Sequence, residues 1–329
     1  MTKKMPFGSG LPARLWNTPY LLVTLVALAW AGNALVGRAA RDLVPPFTLA
    51  FVRWAGALTL VAPFAWPHLK RDAAALRAKA GIVIVLGLLG VATFNALLYT
   101  GLHYTTATNG VLIQAAIPPL IVAFAFLLFR ETVGWRQLAA VAISASGVVI
   151  IVCQGSVDVL LKLRFNHGDG LILIAVLAWA IYTVLLRLRP AVNPLSFMAC
   201  VFAIGVAAMG PASHFELTHG HRIIWSIASL GAFAYVSVVP SLLAYLFYTR
   251  AVDLVGPARA SQAINLMPVF GAVLAVILLH EPLAAYDLIG GVLIVAGVIG
   301  FAVLPAKVLA YKSSKIALDS SAGGGKHRQ

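Results

Sequence analysis

Ten apolar runs, each about 20 residues long, follow one another along this chain with only short polar connections between them. A helix rises about 1.5 Å per residue, so such a run matches the roughly 30 Å hydrocarbon core of a bilayer. In lipid every backbone N–H and C=O must find its partner inside the protein, which leaves helices and closed barrels as spanning structures. Barrel strands alternate apolar and polar residues. These runs are continuous, so the chain is read as an all-α membrane protein. The spans are predicted at about 18–38, 45–66, 80–101, 106–129, 134–153, 169–188, 194–212, 223–249, 256–279 and 284–304. The longest connections, near 154–168 and 213–222, are polar, and no soluble domain fits between spans. The first run is too long for the apolar part of a signal peptide and is followed by further spans, so it is taken as the first transmembrane helix.

Composition agrees: 61% of the residues are hydrophobic and only 10% charged, against about 25% charged in soluble domains. The net charge of +14 does not point to nucleic acid, because the basic residues sit in loops and tails beside the spans. That distribution carries topology and attraction to anionic lipid. With the N-terminus placed inside, 18 of the 24 Lys and Arg residues fall in cytoplasmic segments. Arg38, Arg41, Lys162, Arg164 and Arg222 fall outside, and Arg53 lies within a span. The positive-inside bias therefore predicts a multi-pass protein of the cell (inner) membrane with both termini cytoplasmic. Cys153 and Cys200 both lie in apolar runs and read as small buried residues, with neither metal-ligand spacing nor a disulfide framework.

The second five spans repeat the first five. Leu28–Arg38 reads LAWAGNALVGR, and 149 residues later Leu177–Arg187 reads LAWAIYTVLLR. The same offset pairs Pro45 with Pro194, Tyr99-Thr100 with Tyr248-Thr249, and Pro119 with Pro268; one residue further on, Glu131 pairs with Glu281 and Gly147 with Gly297. Matched Trp, Pro, Tyr and Glu in one order indicate duplication. Five spans is an odd number, so the copies must lie in the membrane with opposite orientation, an arrangement found in secondary transporters. The charges agree: Arg250 and Arg259 stand where the first copy has Gly101 and Gly110. The expected organisation is an N-terminal cytoplasmic segment 1–17, a first repeat 18–155, an inverted second repeat 156–306, and a cytoplasmic tail 307–329, rich in Ser, Gly and Lys and expected to be disordered.

The chain resembles the drug/metabolite transporter superfamily, specifically the ten-helix exporters built from two EamA-type repeats, and among them the bacterial amino-acid and metabolite exporters. The resemblance covers residues 18–304. It rests on the five-plus-five layout, the Trp in the first helix of each half, and the segments YTGLHYTTATNGVLIQAAIPPL and YTRAVDLVGPARASQAINLMPVF. It rests also on Glu131 and Glu281 closing the fourth helix of each half before a Gly-rich fifth. The resemblance implies a central cavity between the halves, lined by helices one, three and four and their twins six, eight and nine, with helices five and ten at the periphery.

On those helices, polar and aromatic residues that would be costly in lipid become candidates for substrate binding. They are Trp30 and Asn33, Asn95 and Tyr99, Gln114, Trp179 and Tyr182, Tyr245 and Tyr248, Ser261 and Asn265. The bland reading is that such residues bond packed helices or mark interfaces. Together they describe a pocket of rings and amides suited to an uncharged or zwitterionic organic solute. Pro118, Pro119 and Pro268 each remove a backbone donor mid-span, making hinges or static kinks. Arg53 lies roughly 12 Å along its helix from Pro45. It is expected to snorkel or to bond carbonyls of neighbouring helices, the other reading being attraction of a substrate carboxylate. Glu131 and Glu281 are expected to fix the turns into helices five and ten, and His103 to lie at the surface.

No Asp or Glu lies mid-membrane, so no carboxylate proton relay is visible; coupling to a proton gradient through histidine or the helix ends, and passive facilitation, stay open. No phosphate-binding loop is present and no cofactor is called for. The expected function is export of small organic metabolites, amino acids first, by alternating access. Nucleosides, purines or drugs are the alternative solutes. A channel or an intramembrane enzyme is the alternative class, although the zinc motif, paired mid-span acids and nucleophile arrangement that such an enzyme needs are absent. The expected partners are a small solute and the bilayer, with no nucleic acid. The sequence leaves the oligomeric state open, a monomer being compatible with it.

Overall fold

A computed structural model of the chain describes residues 15–304, apart from 41, 106, 163, 280 and 281. Among the described residues ten helices are long and apolar enough to cross a membrane: α1 Pro19–Gly37, α2 Pro46–Ala78, α3 Ala80–Leu102, α4 Asn109–Phe129, α5 Trp135–Val152, α6 His167–Leu188, α7 Pro194–Thr218, α8 Ile227–Val255, α9 Pro257–Leu278 and α10 Ala285–Val303. No strand occurs among the described residues. The expected disorder of the tail, the placement of both termini and the role given to Glu281 concern residues outside the described ones, as does the side chain of His103.

The two halves run in opposite senses, and the α2–α7 pair shows how. Both helices begin on a proline, Pro46 and Pro194, where the missing N–H costs nothing. Near the end of α7, the buried Glu216 accepts hydrogen bonds from Phe47 N at 3.2 Å and from Thr48 N at 2.7 Å in the first turn of α2. Towards the end of α2, Asp72 accepts a bond from Asn193 N at 2.9 Å, at the start of α7. Each helix thus carries a carboxylate to the unpaired N–H groups and positive dipole end of the other. The pair is antiparallel, although its members are twins by sequence.

The same inversion governs α5 and α10. A Cβ added to Gly147 would lie 2.5 Å from the carbonyl oxygen of Gly290, and one added to Gly297 would lie 2.6 Å from that of Ala140. The backbones touch through small residues, as membrane helices do when close packing drives their association. Elsewhere the halves cross: α1 packs on α8 and α9, and α6 packs on α3 and α4.

Three element boundaries differ from expectation. α2 was expected to end near 66 and α7 near 212, where charged residues begin; both continue as helix, to Ala78 and Thr218. Those extensions carry Asp72 and Glu216, whose bonds to the partner helix reward the longer path. α4 is not one unbroken helix. It consists of helical segments Ala107–Gln114 and Ile117–Phe129, because Pro118 and Pro119 cannot donate to the carbonyls of Gln114 and Ala115. Pro268, by contrast, lies inside the continuous segment Gln262–Leu279.

Candidate functional site

The centre of the bundle, where α1, α3, α6 and α8 converge, is filled with aromatic rings. Trp30 and Trp179, twins by the repeat, meet edge to face with centroids 5.3 Å apart. Tyr248 lies 5.3 Å from Trp30 and 5.6 Å from Trp179, and Tyr245 lies 5.7 Å from Trp179. Tyr182 and Phe94 complete the group at 5.2 and 4.8 Å from Trp179. Trp54 of α2 joins from the side, 5.0 Å from Tyr245. Offset and edge-on geometries are those that ring quadrupoles favour, each worth about 0.5–1.5 kcal/mol beyond burial.

Polar atoms in this centre converge on two backbone irregularities. α3 winds as a π-helix over Leu88–Thr93, and α8 does so over Ser237–Leu243. The two segments begin 149 residues apart, the offset of the repeat. π turns inside α-helices occur frequently at functional sites, where the extra residue redirects carbonyls from the helical ladder. Here each half addresses the other's π segment. Tyr245 Oη donates to the Gly90 carbonyl at 2.8 Å, and Trp30 Nε1 donates to the Pro240 carbonyl at 3.2 Å. Nothing in the hydropathy pattern announced these turns; Pro240 and the Gly87–Gly90 pair were the available signals.

Arg53 enters the same region. It does not snorkel outward: it is 5% exposed, with its guanidinium carbon 4.7 Å above the Trp54 ring. Nε donates to Ser241 Oγ at 2.6 Å, while the terminal nitrogens lie 3.4–3.5 Å from Pro240 O, Asn95 Oδ1 and Tyr99 Oη. The expected bond to a neighbouring helix's carbonyl is therefore present, but it is the weaker part of the arrangement.

The residues singled out from sequence divide into two groups. Trp30, Trp179, Tyr182, Tyr245 and Tyr248 meet in the aromatic centre, and Asn95 and Tyr99 adjoin it through Arg53. Tyr248 Oη also exchanges a hydrogen bond with Thr183 at 3.1 Å. Asn33 is half-buried one turn along from Trp30. The others are engaged elsewhere. Gln114 bonds the Gly110 carbonyl of its own helix, and Ser261 bonds that of Ala258. Asn265 reaches Ser144 of α5 at 2.8 Å. Glu131, expected to fix its turn, directs its carboxylate to the end of α6, forming a two-pronged ion pair with Arg187 at 2.6 and 2.9 Å.

The EamA-like transporter family matches this sequence twice, over residues 17–153 and 166–303. The chain is 30% identical to the uncharacterized transporter YyaM of Bacillus subtilis (strain 168), over 68% of this chain and 73% of that protein. It is 29% identical to an uncharacterized transporter of Archaeoglobus fulgidus, over 85% and 95% of the two chains. A probable terminal-alkyne amino-acid exporter of Streptantibioticus cattleyicolor is 24% identical over 66% and 71%. A solved crystal structure superposes with a TM-score of 0.69 at 20% identity, covering 88% of this chain and 97% of the other. That likeness is one of fold.

Proposed function

The chain belongs to the EamA-like transporter family, and from that premise we propose that it is a secondary transporter exporting small organic metabolites, amino acids first, from the cytoplasm by alternating access. The observation that carries the reading is the crossed pair of bonds at the centre, Tyr245 to Gly90 and Trp30 to Pro240. Two inverted halves that each grip the other's irregular turn form an element with two equivalent arrangements, and alternation between them exposes the centre to one side at a time. Trp30, Asn33, Asn95, Tyr99, Trp179, Tyr182, Tyr245 and Tyr248 are the residues assigned to the solute: rings for its apolar part, amide and hydroxyl groups for its polar part. Pro118, Pro119 and Pro268 are assigned to the bending of α4 and α9. In this reading the repeats comprise residues 18–155 and 156–306, both termini face the cytoplasm, and the protein resides in the inner membrane.

The amino-acid assignment is supported by the amide and aromatic character of the centre and by the name of the Streptantibioticus relative. The test is transport in proteoliposomes across amino acids, nucleosides, sugars and cationic drugs, with and without a pH gradient. Saturable counterflow of amino acids is expected. Flux that never saturates and shows no counterflow would identify a channel, and counterflow confined to another solute class would replace amino acids in the reading.

A further inference from the structure

One group at the centre is out of balance. Arg53 is buried in the membrane-spanning region, and a guanidinium carries its positive charge at any pH a cell meets. Removing such an ion from water is costly unless an anion and well-formed hydrogen bonds replace the lost hydration. Among the described residues, the hydrogen-bond partners of Arg53 are all neutral: Ser241, Asn95, Tyr99 and the Pro240 carbonyl. Among the described residues the ion pairs are Arg187–Glu131 and Arg189–Asp253, neither of which involves it. The sequence has no mid-span Asp or Glu to pair with it.

The contacts are also unequal in quality. Nε is held tightly, at 2.6 Å from Ser241 Oγ, and Ser241 in turn donates to the Val236 carbonyl at 2.6 Å. That chain fixes the plane of the guanidinium. Nη1 and Nη2 have partners only at 3.4–3.5 Å, whereas charge-assisted N–H···O bonds settle near 2.7–2.9 Å. The strong donors of the fork are therefore underused. Asn95 gives its own N–H to the Val91 carbonyl at 2.8 Å, so it offers Arg53 only an oxygen. The neighbouring Trp54 lies beneath the cation and keeps its Nε1 buried without an acceptor among the described residues.

We infer that Arg53 is the docking point for a carboxylate carried by the transported solute, received by Nη1 and Nη2 as a two-pronged pair. A planar two-oxygen group fits the fork, and its single negative charge matches the single cation; a doubly charged phosphate would leave one charge unpaired. Tyr99 Oη, already at the edge of the fork, turns its proton to one carboxylate oxygen. The Trp54 ring lies beside the cation and the Tyr245 ring packs against Trp54, where the apolar part of the same solute would rest. This assignment rests on the transporter reading and narrows it to solutes that bear a carboxylate, zwitterionic amino acids among them.

The test is thermal unfolding of the purified full-length protein in detergent, titrated with matched probes: L-phenylalanine, 3-phenylpropanoate and L-phenylalaninamide, with the leucine and alanine counterparts. Binding to the native state raises the midpoint with ligand concentration. At least one acid is expected to raise it while its amide does not. Arg53→Gln is expected to weaken that response about tenfold or more, and Arg53→Lys, which keeps the charge but not the fork, to weaken it severalfold. Asn95→Asp supplies an internal carboxylate; it is expected to raise the midpoint of the ligand-free protein and to abolish the acid-dependent shift. An equal response to acid and amide, an acid response undiminished in Arg53→Lys or in Asn95→Asp, or no response to any acid overturns the inference. Counterflow in proteoliposomes separates the two claims. Nucleoside counterflow unaffected by Arg53→Gln leaves the carrier standing and removes the carboxylate site, whereas no counterflow of any solute removes the carrier itself.

Discussion

Trp30 and Tyr245 come from opposite halves and perform the same task, each sending one polar ring atom to a carbonyl of the other half's π segment. Tyr245→Phe keeps the ring and its packing but strands the buried Gly90 carbonyl, so a loss of about 1 kcal/mol in stability is expected, with reduced flux. Thermal unfolding of the purified variant beside a transport assay checks both. Trp179 touches five other aromatic residues of the centre, whereas Asn265 is tied to α5. Trp179→Ala is accordingly expected to abolish saturable flux, and Asn265→Ala to lower stability while leaving the order of solute preference unchanged; competition uptake across a solute panel distinguishes them. Much of this was legible in the sequence. The twinned tryptophans and the lone intramembrane arginine stand out by type alone. What sequence could not supply was rotation about the helix axis. In an apolar helix every face is compatible with lipid, so the spacing of Gln114 or Asn265 does not reveal which neighbour its amide will meet.

At the scale of elements, the contact of α5 with α10 depends on what is missing from Gly147 and Gly297. An added methyl would collide with a backbone carbonyl, which cannot swing away as a side chain can. Gly147→Ala and Gly297→Ala are each expected to cost about 1–3 kcal/mol. Gly291 on the same helix faces open space, and Gly291→Ala is expected to be neutral or slightly stabilising. Unfolding midpoints of the three variants, measured together, test the assignment; equal losses in all three would refute it. The ten spans themselves were readable because hydropathy over 20 residues is a strong signal. The π turns were not, since winding by one extra residue per turn leaves composition unchanged. The extra lengths of α2 and α7 were hidden for a different reason: the charges that mark the end of an apolar run are here the groups that hold the helix to its partner.

For the whole molecule, inversion makes the two membrane faces related but unequal. Arg187–Glu131 ties α6 to the turn after α4, and Arg189–Asp253 ties the turn after α6 to α8, all on the face assigned to the cytoplasm. Both pairs are partly exposed, and such pairs contribute about 0–1 kcal/mol. That is little for stability but enough to move a balance between two conformations by up to about fivefold. Glu131→Gln is therefore expected to speed maleimide labelling of Leu185→Cys, at the half-buried Leu185 two residues before Arg187, by up to about fivefold, with Cys153 and Cys200 replaced by serine. The charge-swapped Glu131→Arg, Arg187→Glu double variant is expected to restore the slower rate. Reporter fusions at residues 1 and 329 are expected to read out on the same, cytoplasmic, face.

The exchange of carboxylates between α2 and α7 bears on how such a molecule moves. Two antiparallel rods clasped at both extremities can neither slide lengthwise nor splay at one mouth without releasing Glu216 or Asp72 from the backbone it holds. They travel as one stave. Any rocking then happens around that spine, in the helices that cross between the halves, and a chemical staple joining α2 to α7 would leave turnover intact while one joining α1 to α6 would stop it.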